Sequence, residues 1–247
     1  MKSYCIKTQN EEIIEYLLNK LSKLDFPNIS YCKKSFKIYY NLIMHYKEED
    51  TEKFENIVIS LIIDVIIEFY ENKLLKRIIN SNYFYFDEFE RKLILENCDE
   101  FLHQNEIREK IFYDLMDYVK EKRNLFLEGI VNFRVRTYIS LLDNVVDMAV
   151  NKYIIEKEYK EFINLLKIYV NTTNSKTEIV HLIYTHGESI LLDNEKNIIQ
   201  IEGSINNAKY LSDISFSSND IALNTLLSLL PQKIELQLID KEDEFIN

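Results

Sequence analysis

The chain has 247 residues, long enough for one large domain or two small ones, and 47% of them are hydrophobic, enough to fill a sizeable core. With only 3 Gly and 2 Pro it carries no GxGxxG or P-loop stretch, so the classical nucleotide-binding loops, which need glycine for close approach to phosphate, are excluded. The formal charge is −11, divided as +1 over 1–50, −5 over 51–170 and −7 over 171–247; this balance weighs against a nucleic-acid protein but leaves room for a local basic patch.

Cys5, Cys32 and Cys98 are odd in number, widely spaced and without a CxxC, so neither a disulfide framework nor a zinc site is suggested. Reduced thiols in the cytoplasm are expected, with no cofactor and no metal. Residues 1–9 lack the apolar run of a signal peptide, so secretion is not expected.

In chain order, Tyr4–Lys7 reads as a strand and Glu11–Leu24 as an amphipathic helix with Ile13, Ile14, Leu17, Leu18 and Leu21 as its apolar stripe. Asp25-Phe26-Pro27-Asn28 reads as a turn, and the aromatic and β-branched runs Ile29–Lys33 and Phe36–His45 as a hairpin. From Thr51 the period is helical, with helices expected near 51–80, 86–103, 105–128, 132–151 and 155–171. The breaks Asn80-Ser81-Asn82 and His103-Gln104-Asn105 are short, which predicts antiparallel neighbours in a bundle.

The run Ile57–Tyr70 imitates a membrane span but is too short, and Ser60, Asp64 and Glu68 form a polar stripe along it; a core helix is the better reading, with no transmembrane segment. After Asn171–Ser175, read as a linker, the pattern turns towards period two. Strands are expected at Thr177–Tyr184, Ser189–Leu192, Asn197–Glu202 and Lys233–Ile239, with turns at 185–188 and 193–196. A helix over 219–230 would be capped by Ser217 or Ser218 and stopped by Pro231. The whole predicts an α+β, predominantly helical architecture in three parts: an α+β unit over 1–48, a helical bundle over 49–171 and a strand-rich unit over 172–247.

Three stretches, Gly129-Ile130-Val131-Asn132-Phe133-Arg134, Leu142-Asp143-Asn144-Val145-Val146-Asp147 and Glu156–Ile163, followed by Val180-His181-Leu182, carry a resemblance. Together, over about 125–192, they resemble the YtxC-like sporulation family. The resemblance implies a cytoplasmic protein of endospore-forming bacteria, associated with sporulation. It implies no reaction, ligand or catalytic residue, so no catalytic set is assigned.

The residues themselves offer two candidate clusters. Lys120, Lys122, Arg123, Arg134 and Arg136 are the densest basic group, suited to phosphate or an acidic partner, although interspersed Asp117, Glu121 and Glu128 favour a solvated helical face. Asp143 and Asp147, four apart on one helix face, and Glu156 could converge on a divalent ion as in a hydrolase; a solvated acidic face, or ion pairing of the two aspartates with Arg134 and Arg136, is the preferred reading. Tyr159, Phe162, Ile163, Leu166 and Tyr169 follow helical spacing and are expected in the core. None of the 4 histidines has a nearby nucleophile pattern. The functional expectation is therefore a noncatalytic interaction protein with a protein partner; the alternatives are a nucleic-acid or anionic-ligand binder through Lys120–Arg136, and a metal-dependent hydrolase.

Overall fold

The computed structural model describes residues 2–24, 29–199 and 217–239. The turn expected at 25–28 and the end of the strand expected over 197–202 lie outside them. The chain is α+β and predominantly helical, and it divides into two compact units, Met1–Lys157 and Glu158–Asn247.

In the first unit, strand β1 (Lys2–Thr8) alternates strictly, sending Tyr4, Ile6 and Thr8 into the core and Ser3, Cys5 and Lys7 to the other face. Helix α1 (Glu11–Ser22) starts where the Asn10 side chain accepts the Glu12 N–H at 2.9 Å, and it buries Ile13, Ile14, Leu17 and Leu21. The expected hairpin is present as β2 (Ser30–Phe36) and β3 (Tyr39–Tyr46), turning at Lys37 with φ 55°. Because β3 pairs antiparallel with β1, it lies between β1 and β2, a split βαβ arrangement. The fourth strand, β4 (Asn124–Phe126), pairs parallel with the other edge of β1, giving the order β2-β3-β1-β4.

The segment that imitates a membrane span is a core helix. Helix α2 (Thr51–Val65) runs through a π-helical turn (Ile66–Tyr70) into α3 (Glu71–Asn82). Buried positions recur every fourth residue through Val58, Ile62 and Ile66, then Leu74 and Ile78, a spacing that drifts by about 40° per step on an α-helix. The wider π turn takes back part of that drift and keeps the stripe on the core. The polar stripe is also there: Asp64 receives Lys20 from α1 at 3.0 Å and Arg108 at 2.6 Å. Among the described residues no helix is long and apolar enough to cross a membrane.

Helix α4 (Glu88–Phe101) opens with a capping box between Asp87 and Glu90, and α5 (Gln104–Glu121) supplies Ile107, Ile111, Leu115 and Val119 to the core. The helix expected over 105–128 thus ends at Glu121: Asn124-Leu125-Phe126 leaves it to extend the sheet, and Leu125 is fully buried beside Ile6. A short helix, α6 (Leu127–Phe133), follows. The two helices expected over 132–151 and 155–171 are one, α7 (Arg136–Thr172), because nothing in 151–155 breaks helical geometry. Its first turn is capped from another helix: Asp114 of α5 accepts the Thr137 and Tyr138 N–H groups at 2.9 and 3.3 Å.

In the second unit, β5 (Thr177–Thr185) is the centre of a three-stranded sheet between β6 (Glu188–Leu192), antiparallel, and β7 (Pro231–Leu238), parallel. The β5–β6 turn has positive φ at His186 and Gly187, the geometry of a type I′ hairpin that glycine readily adopts. At 193–196 the Asp193 carboxylate accepts the N–H groups of Glu195 and Asn197, closing the expected turn. Helix α8 (Ser218–Leu229) is capped by Ser217 in a capping box with Asp220, and Pro231 begins β7. Val180, Leu182, Leu191 and Ala222 form this unit's small core.

Candidate functional site

Of the five basic residues singled out by the sequence, Arg123 points inward. It sits at the entry to β4, where its carbonyl accepts the Cys5 N–H at 2.8 Å. Its guanidinium is 3.2 Å from Glu55 Oε1, 3.1 Å from the Tyr46 hydroxyl and 4.5 Å from the centre of the Tyr4 ring. The Tyr4 hydroxyl shares its one proton between the Glu55 carboxylate at 3.1 Å and the Val119 carbonyl at 2.9 Å, and Tyr46 stacks on Phe54 at 4.2 Å. Burial, followed by the Glu55 carboxylate, holds the Tyr4 phenol above its ordinary range. This is a satisfied interior network that joins β1, α2 and β4, and it takes Arg123 out of any external phosphate site.

The remaining four basic residues are exposed. Arg134 lies 4.8 Å over the Tyr118 ring, and Arg136 opens α7. Neither forms an ion pair with Asp143 or Asp147 among the described residues, so of the two arrangements expected from sequence, a solvated face or ion pairing, the pairing is absent. Asp147 instead accepts the Tyr83 hydroxyl at 2.5 Å, and that bond, with burial, pushes the phenol up to about 12. Partial burial, then the neighbouring Asp147, raises the Asp143 carboxyl.

Asp143 and Asp147 share a helix face, as expected. Glu156 does not join them: it stands nine residues beyond Asp147, about 13 Å along α7 and on its opposite side, where it meets Lys152 at 3.9 Å. Among the described residues no three His, Cys, Asp or Glu side chains are grouped to hold a metal ion. The histidines are dispersed. His45 bonds Ser3 at 2.6 Å, His181 lies 3.1 Å from Glu235, His186 stands in the hairpin turn and His103 precedes α5.

Two features were not read from the sequence. Glu90 receives Lys157 at 2.8 Å, the Tyr153 hydroxyl at 2.9 Å and the Asp87 N–H at 2.9 Å; these bonds, Lys157 first, lower its carboxyl to about 2. The other is the second half of α7. Its first half buries Tyr138, Leu142, Val145, Val146, Ala149 and Val150, but no residue from Asn151 onward is buried. Tyr159, Phe162 and Tyr169, expected in the core, are 64%, 55% and 43% exposed, and Ile163 and Leu166 are only half-buried, so the expectation of core packing is corrected for all five. Tyr159, Phe162, Leu166 and Tyr169 repeat at intervals of 3, 4 and 3 residues and lie on one side of the helix with Val170. That spacing was visible in the sequence and is that of a seam between two helices.

Residues 56–247 match the family described as the YtxC-like family. The uncharacterized protein YtxC of Bacillus subtilis (strain 168) is 25% identical over 77 residues, 31% of this chain and 27% of that protein, so the aligned stretch spans about a quarter of the relative's length. No solved structure matches the chain.

Proposed function

Because the chain belongs to the YtxC-like family, we propose that it is a noncatalytic interaction protein used during sporulation, with the second half of α7 as its docking element. The observation that carries this reading is the exposed, heptad-spaced stripe of Tyr159, Phe162, Tyr169 and Val170 beside half-buried Leu166. Water-facing aromatic and aliphatic side chains at this spacing gain by pairing with another helix.

The occupant is a second copy of the same helix. Over 158–172 the charges balance, with Glu158 and Glu161 against Lys160 and Lys167, so a like copy is not repelled although the whole chain carries −11. The stripe presents roughly 500 Å² per helix, and a pair would bury about 1,000 Å² in total, the threshold for an interface that holds in solution.

Complementation tests the biological half of the proposal. In an endospore-forming host lacking the gene, the wild-type chain should restore heat-resistant spores, whereas Tyr159→Glu with Phe162→Glu, at equal protein level, should not. A deletion strain that sporulates normally, or full rescue by the double variant, would overturn it.

A further inference from the structure

The four-stranded sheet has two faces of different character. One packs Tyr4, Ile6, Leu42, Met44 and Leu125 into the core. The other carries the alternate positions, and none of the side chains that the four strands send there is a carboxylate, in a chain whose net charge is −11. Lys7 and Lys34 do lie on it.

At one end this face holds a concavity of about 550 Å³, lined by Cys5, Lys7, Tyr39, Asn41, Asn124 and Phe126, with Leu125 in its wall. The size suits a small ligand. The Tyr39 and Phe126 rings meet edge to face at 5.7 Å, and the Lys7 ammonium stands 3.7 Å from the centre of the Tyr39 ring and 6.0 Å from that of Phe126. No carboxylate pairs with Lys7 among the described residues. Phe36, 67% exposed, sits across the strand pair from Tyr39, so aromatic rings occupy this end of β2, β3 and β4. Asn41 and Asn124 add amide donors and acceptors at the rim. Burial raises the Cys5 thiol above its ordinary range, which suits a binding wall rather than a nucleophile.

We propose that this open sheet face binds a nucleotide unit, its phosphate drawing the Lys7 ammonium off the Tyr39 ring, its base taking that place against Tyr39 and Phe126, and its polar edge on the two asparagines. Aromatic side chains on an open sheet stack bases irrespective of sequence, and an unpaired lysine supplies the counter-charge. The acidic balance of the chain weighs against wrapping a long nucleic acid but not against a short contact on a face free of carboxylates. The unit could come from a free nucleotide or from a single strand, and the test separates the two.

The full chain would be titrated against a fluorescein-labelled single-stranded RNA of about ten nucleotides, mixed in sequence, and separately against AMP. Tyr39→Leu and Lys7→Gln should each weaken binding by about fivefold or more, while Lys120→Gln leaves it unchanged. RNA binding that AMP does not displace assigns the face to a strand; direct AMP binding with the same losses assigns it to free nucleotide. Circular dichroism checks the fold, and if Tyr39→Leu unfolds, Lys7→Gln, which removes the charge and its contact with the Tyr39 ring from a half-exposed side chain, carries the test alone. No binding of either probe at millimolar concentration, or binding indifferent to Lys7→Gln, would overturn the proposal.

Discussion

Removing the Arg123 guanidinium should destabilise the chain far more than a change at an external basic residue. Arg123→Met leaves the Glu55 carboxylate, whose side chain is 9% exposed, with the Tyr4 hydroxyl as its remaining donor. The loss comprises a charge-assisted bond worth about 1.5–3 kcal/mol and a ring contact worth about 0.5–1 kcal/mol. Because the arginine side chain is itself 36% exposed, water already competes for it, and a total of about 2–3 kcal/mol is expected. Glu55→Gln should cost less, about 1 kcal/mol, since Arg123 keeps the Tyr46 hydroxyl and can turn to solvent. The double variant should then cost less than the two singles together, because it leaves no unpaired buried charge. Urea unfolding followed by far-ultraviolet circular dichroism measures all three. A cost below about 0.5 kcal/mol for Arg123→Met, or strict additivity, would refute this reading of the network.

Three other outcomes follow from the same geometry. Ile62→Ala, at a fully buried position, should cost about 2–5 kcal/mol in urea unfolding, whereas Phe162→Ala, on the exposed stripe, should cost below about 0.5 kcal/mol when measured below the concentration at which copies pair. Asp114→Ala uncaps α7 and should lower stability by about 1 kcal/mol, with Asp114→Asn recovering part of it, since an amide oxygen can still accept the Thr137 N–H. Glu90 has a lowered carboxyl, so its contribution is complete above about pH 4.5 and is lost as pH falls towards about 2. Melting temperature measured across that window should fall less steeply for Glu90→Gln than for wild type, and parallel curves would contradict the assignment.

Elements with strong local period were legible. β1, α1 and α8 appear near the bounds that alternation, apolar stripes and caps predict, and the helix expected over 51–80 is there as α2, the π turn and α3 together. The β2–β3 hairpin is present with its turn three residues later than expected, so that Phe36 ends the first strand instead of opening the second. β4 was not, because three residues carry too little pattern and its partner β1 lies about 120 positions earlier; only burial of Leu125 against Ile6 makes Asn124–Phe126 a strand. The π turn was hidden for a related reason, since a four-residue apolar spacing also reads as an ordinary helix. The candidate clusters failed differently. Charges adjacent in sequence say nothing of which side of an element they leave from, and Arg123 leaves inward towards Glu55 while Lys122 beside it is exposed. An apolar stripe likewise predicts that a helix wants a partner and not whether the chain supplies one, so Phe162 and Ile62 looked alike in the sequence and differ in burial.

The most direct test of the central claim, that the second half of α7 docks helix to helix, is sedimentation of the full chain across a wide concentration series. The chain should show a reversible monomer–dimer equilibrium that Tyr159→Glu with Phe162→Glu shifts wholly to monomer without loss of helical signal. A chain that stays monomeric at every concentration, or a dimer that survives both substitutions, would contradict it.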